Sequence, residues 1–244
     1  MEYGDPRPRN LRSDEDTIVK APFLELLPSV VAYPFLGNGK VLLLAGTIFY
    51  VIVSNIPFIG GTLSLAAGGY ICAFMMKIIV STSQGDRELP DWPDFTDFLD
   101  DIIRPFAMIA LTFAVSQMPA IIYCISDPHV LLTLDPILII LVLAGNFYLP
   151  MALIAVSMSN SIRGVNPVFI IPAIVKGPAA YFIACAILVL ITTISRAVID
   201  FVSHIPIYPL KVTVLAFLFL YFITVEMRII GLLYYSNKER FDWL

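Results

Sequence analysis

Residues 136–157 read PILIILVLAGNFYLPMALIAVS, 22 positions without one charged side chain. About 20 such residues in helical form cross the hydrocarbon core of a bilayer. A helix also satisfies its backbone N–H and C=O groups within one segment, which lipid demands. Runs of the same kind lie on both sides of it, at about 41–59, 62–83, 104–125, 178–199 and 210–232. Six crossings take roughly 120 residues, about half of the 244 present. The expected fold class is therefore all-α, a polytopic transmembrane helical bundle of about six spans. A membrane β-barrel would show short strands of alternating polarity instead.

Composition agrees. The chain is 59% hydrophobic and 14% charged, with a mean hydropathy of +0.86, where soluble domains carry about 25% charged residues. Little chain is left for a separate soluble catalytic domain. The net charge of -4 argues against nucleic acid as a partner, because phosphate backbones need a basic surface. Cys72, Cys124 and Cys185 stand far apart in apolar runs, so neither a disulfide framework nor a zinc site is indicated.

Lysine and arginine set the orientation. With the N-terminus in the cytoplasm, Arg7, Arg9, Arg12, Lys20, Lys40, Lys77, Arg87, Arg104, Arg163, Lys176, Arg228, Lys238 and Arg240 fall inside. Only Arg196 and Lys211 fall outside. That bias fits an even number of spans, both termini cytoplasmic, and a multi-pass protein of the cell (cytoplasmic) membrane. Residues 1–17 have no apolar core and read as a solvated cytoplasmic tail without a cleavable signal.

Residues 18–40 read as an interfacial helix, with Val19, Phe23, Leu26, Leu27, Val30 and Val31 near helical spacing. Residues 166–177 look similar, and an interfacial and a re-entrant placement both fit the two segments. Interfacial helices are thus expected before spans 1, 3 and 5, within a transmembrane domain over 41–233 and ahead of a cytoplasmic tail over 234–244. Prolines six apart, Pro28 and Pro34, then Pro172 and Pro178, hint at a parallel duplication; coincidence in a proline-rich chain accounts for them equally. Gly68 and Gly69 invite close helix contact, and Pro105, Pro119 and Pro150 mark kinks or ends.

One stretch is densely charged. Residues 84–106 read QGDRELPDWPDFTDFLDDIIRPF, with seven carboxylates at Asp86, Glu88, Asp91, Asp94, Asp97, Asp100 and Asp101. Trp92, Phe95, Phe98, Leu99, Ile102 and Phe106 recur among them at steps of three and four. A helix over this loop (84–103) would turn its aromatic face to the lipid interface, where tryptophan belongs, and its acids to the cytosol. Calcium wants oxygens converging on one point, whereas this spacing spreads them along a face. Asp91, Trp92, Asp94, Phe95, Asp97 and Asp100 are therefore candidate partner-binding residues, with Arg7, Arg9 and Arg12 as an alternative basic counterpart within the chain.

Polar groups at depth are few. Lys77 and Arg228 lie near cytoplasmic span ends and can snorkel. Glu226, two positions from Arg228, points elsewhere on the helix and needs another partner. Gln117, Asn146 and Glu226 are candidates for a transport path, although helix-to-helix hydrogen bonds explain them as well. No Ser/His/Asp set, P-loop, H-E-x-x-H or GxGxxG is present, so neither enzymatic activity nor a cofactor is expected.

Several phrases together resemble a known family: YPFLGNG at 33–39, GY at 69–70, GDRELPDWPDF at 85–95, NP at 166–167 and LYYSNKERFDW at 233–243. Their order is similar to that in a bacterial and archaeal family of roughly six-span membrane proteins, a domain of unknown function. The G-D/E-x-x-LP-x-W/F loop is the most specific element. The resemblance implies a prokaryotic cytoplasmic-membrane protein and carries over no catalytic or binding residues. Two functions are expected from the residues themselves. One is a non-enzymatic membrane subunit or scaffold, in contact with lipid and with another membrane or cytoplasmic protein or a second copy. The other is a small permease.

Overall fold

The computed structural model describes residues 22–54, 60–93, 96–131 and 135–241. Among them every regular element is helical: α1 (Phe23–Leu26), α2 (Pro28–Ala32) with the 3-10 turn Tyr33–Phe35, α3 (Gly39–Ser54), α4 (Gly60–Gln84), α5 (Arg104–Ser116) entered through a π-helical turn (Leu99–Ile103), α6 (Met118–Ser126), α7 (Pro136–Ser159), α8 (Pro167–Lys176), α9 (Pro178–Ser203) and α10 (Tyr208–Phe241). The hairpin turn expected around Pro57 lies outside the described residues, as does the tail over 1–17.

Four helices are long and apolar enough to cross a membrane, over Ala66–Gln84, Pro136–Ser159, Ala179–Ser203 and Tyr208–Lys238. Two bent pairs raise the number to six if each is one span: Phe23–Phe35 with Gly39–Ile52 at 57°, and Leu99–Ser116 with Met118–Ser126 at 61°. The run at 104–125 is thus interrupted rather than continuous. Its break falls at Gln117 (φ -93, ψ 4), just ahead of Pro119, which has no N–H to continue the ladder. Pro105 sits at the start of α5, where a missing donor costs nothing. Pro150 lies within α7, which runs through it.

Local chemistry explains the ends. Asp135 caps α7 by accepting from the Ile137 and Leu138 amides at 2.8 and 3.0 Å, ahead of Pro136, the arrangement a helix N-terminus favours. Asn160, at φ 47, closes the same helix. Asn166 caps α8 through the Val168 amide at 3.0 Å.

The core is built where α4, α7 and α10 meet, around Ile78, Ile79, Met151, Ile154, Ile229 and Leu233. Glycines permit that closeness. A Cβ at Gly231 would overlap the Thr82 side chain, and one at Gly69 would overlap Ile102. Gly68, by contrast, would meet only Phe106 at an ordinary 3.9 Å. α9 stands outside this core: 11% of its most apolar stretch is buried, against 50% for those of α4 and α10.

Two connections double back along the helix they leave. After α4, the chain at 85–93 returns from Gln84 to the level of Tyr70, roughly 21 Å of helix. After α7, Gly164 lies against the Ala155 backbone, and the Tyr148 hydroxyl donates to the Val165 carbonyl at 2.5 Å. The paired prolines occupy unlike places. Pro28 opens α2 and Pro34 lies in a 3-10 turn, whereas Pro172 is inside α8 and Pro178 begins α9. Phe23, Val30 and Tyr33 are buried, so the described part of the 18–40 segment packs into the bundle. Residues 234–241 continue α10, with a dihedral break at Asn237 and with Tyr234 and Asn237 buried.

Candidate functional site

The returning segment after α4 is fixed by one side chain. Trp92 stacks on Phe74 at 4.5 Å and on Tyr70 at 5.2 Å, its ring within 13° of parallel to each. Its indole N–H donates to the Leu42 carbonyl of α3 at 3.3 Å. Gly46 makes room, since a Cβ there would strike the indole. The flanking backbone is held as well. The Tyr70 hydroxyl donates to the Pro93 carbonyl at 2.6 Å, and the Lys77 ammonium to the Trp92 carbonyl at 3.4 Å. Trp92 thereby walls a small apolar cleft with Tyr50, Ala67, Ile71 and Leu220. Its placement differs from the one expected. The ring lies between helices rather than along a lipid interface, because two aromatic faces and a carbonyl acceptor await it there.

The acids are not one uniform helical face either. Pro90 and Pro93 keep the chain extended, and helix begins only at Phe98. Asp101 accepts from the Thr96 and Asp97 amides at 2.8 Å each, and Asp97 accepts from the Leu99 amide at 2.8 Å. These two carboxylates fasten the turn that opens α5. Asp86 is engaged at the other end by the Ser81 hydroxyl at 2.7 Å. Asp91 and Asp100 are exposed, and Asp100 lies 3.8 Å from the exposed Arg104, a pair worth little in water. Asp94 and Phe95 lie outside the described residues. Phe98 and Leu99 are exposed beside Asp97 and Asp100.

A buried cation sits further along α4, at its contact with α10. Arg228 is 6% exposed. Its guanidinium donates to the Thr82 hydroxyl at 3.1 Å and to the Asp86 carbonyl at 2.5 Å, and it lies 4.2 Å over the Tyr33 ring. The cation–π contact and the two acceptors replace the water that a snorkelling arginine would keep. Snorkelling was the expectation for Arg228, and the packing of Gly231 against Thr82 rules it out by drawing α10 onto α4. Sequence reasoning missed this nucleus. Its signal was the run Ser81, Thr82 and Ser83 at the end of an apolar helix, three hydroxyls that turn out buried together.

The polar residues at depth form two pairs on different helices. The Gln117 amide donates to Asn146 Oδ1 at 3.0 Å, across the break between α5 and α6 and onto α7. Glu226 Oε1 accepts from the Thr192 hydroxyl at 3.0 Å, between α10 and α9. Among the described residues no group of three His, Cys, Asp or Glu side chains converges as a metal site would require. Comparison with protein-family models, curated proteins and solved structures found no match.

Proposed function

We propose that the protein is a non-enzymatic, six-span subunit of the cytoplasmic membrane, each bent pair counting as one crossing, and that the acidic segment at 91–101 docks a basic stretch of a partner protein. The clamp on Trp92 carries this reading. A loop held by two ring stacks and three hydrogen bonds presents its carboxylates at little further entropic cost, and pre-organised surfaces bind more tightly for that reason. Asp91 and Asp100 supply the charge that steers a cationic partner, while exposed Phe98 and Leu99 supply apolar contact beside it. The positive-inside distribution supports a cytoplasmic location for this face and both termini.

The test is co-purification from native membranes. The unaltered chain is expected to bring down a stoichiometric protein that is lost when the exposed Asp91 and Asp100 are replaced by Asn. A chain that purifies alone, or a partner retained by the double variant, overturns the reading.

A small permease is the second reading, favoured by one observation: a span broken at Gln117 and bridged to Asn146. Interrupted membrane helices are where transporters build their sites. Solute flux in proteoliposomes that disappears in Gln117→Leu, with no protein partner recovered, would support it over docking.

A further inference from the structure

We propose that a second copy of this chain packs against the outer groove between α9 and α10, with Arg196 of each copy paired to Glu226 of the other. An apolar helix face turned to lipid needs no partner, but this groove is not apolar. Glu226 has a single hydroxyl donor, that of exposed Thr192. Arg196 stands one turn further along α9, about 6 Å by helical rise, inside the candidate span Ala179–Ser203 and not in the outer connection expected for its charge. It is also exposed, and no described acid forms an ion pair with it. An ionised carboxylate and a guanidinium at bilayer depth are costly unless they meet each other or water.

Self-association resolves both charges at once. A two-fold axis along the membrane normal brings equal depths of two copies together and makes every contact twice. Each copy offers Glu226 and Arg196 a turn apart, within reach of an extended arginine side chain, while Asp200, the acid on the other side of Arg196, stands exposed near the end of α9. The Glu226–Arg196 surface is therefore complementary to itself. A different protein would have to supply both charges at matching depths. The surrounding face provides the packing: α9 is the least buried of the four continuous candidate spans, and Phe182, Val189 and Phe201 project from it. The groove is distinct from the acidic segment, and the inference stands whether or not that segment docks a partner.

The full chain in lipid nanodiscs, weighed by native mass spectrometry, is expected to give particles holding two 27.1-kDa chains. Glu226→Gln and Arg196→Gln should each weaken self-association about tenfold, the scale of one interhelical polar contact. The charge swap Arg196→Glu with Glu226→Arg should restore it. Thr193→Cys, on the outward face of α9, should disulfide-link two copies in membranes while the parent chain stays unlinked. One chain per particle, or self-association unchanged by both Gln variants, overturns the proposal. If the Gln variants fail to fold, an unlinked Thr193→Cys protein overturns it alone.

Discussion

Glu226 and Arg228 are two residues apart on α10 and have opposite surroundings. Arg228 faces α4, is nearly sealed from solvent, and finds the Thr82 hydroxyl, the Asp86 carbonyl and the Tyr33 ring. Glu226 faces α9 at the rim of the bundle and finds one hydroxyl. The inner charge is solvated by the protein. The outer charge is not, and that asymmetry makes the same helix a structural spine on one side and, in the proposed dimer, an association surface on the other.

Four substitutions test the contrast. The largest effect is expected where the returning loop is clamped between α3 and α4: Trp92→Ala should cost about 4 kcal/mol of folding stability, because two ring stacks and a hydrogen bond are lost with a half-buried indole. Denaturant titration in detergent micelles reads it, and a loss close to zero would mean that the returning loop is not anchored. Next, Arg228→Leu should cost about 3 kcal/mol, because charge-assisted hydrogen bonds vanish and their acceptors are left buried. Arg228→Lys should recover less than half of that, since a point-like ammonium cannot reach both oxygens and cover the Tyr33 ring. Full rescue by lysine would show that charge alone matters there. The smallest effect belongs to the outer face. Glu226→Gln keeps an acceptor for Thr192 and should move the stability of the fold by no more than about 0.5 kcal/mol. A loss equal to that of Arg228→Leu would erase the difference between the two faces.

Much of the helical plan was legible because it is local. Unbroken apolar runs announce α4, α7, α9 and α10, and Asp135 and Asn166 stand where capping chemistry wants them. Pro119 explains why the third run bends instead of crossing straight. Gln117, Asn146 and Glu226 stood out as polar residues among apolar ones, and each has a hydrogen-bonded neighbour on another helix. Trp92 was placed differently because its amphipathic ring suits a membrane interface, and nothing within a few residues argues otherwise. Its partners Leu42 and Tyr70 lie far away along the chain. Arg228 was misjudged for the same reason: a position near a span end suggests snorkelling, and only the approach of α4 removes the water.

Sequence by itself determined that this chain is helical and belongs in lipid, since both follow from how many apolar residues occur in a row and from the need to close backbone hydrogen bonds without water. The tertiary structure alone decided which side of α10 is interior, that the acidic connection runs back along α4, and which charges are matched. Those outcomes depend on contacts between residues far apart in the chain, whose glycine-sized gaps and facing acceptors exist only once the helices have met.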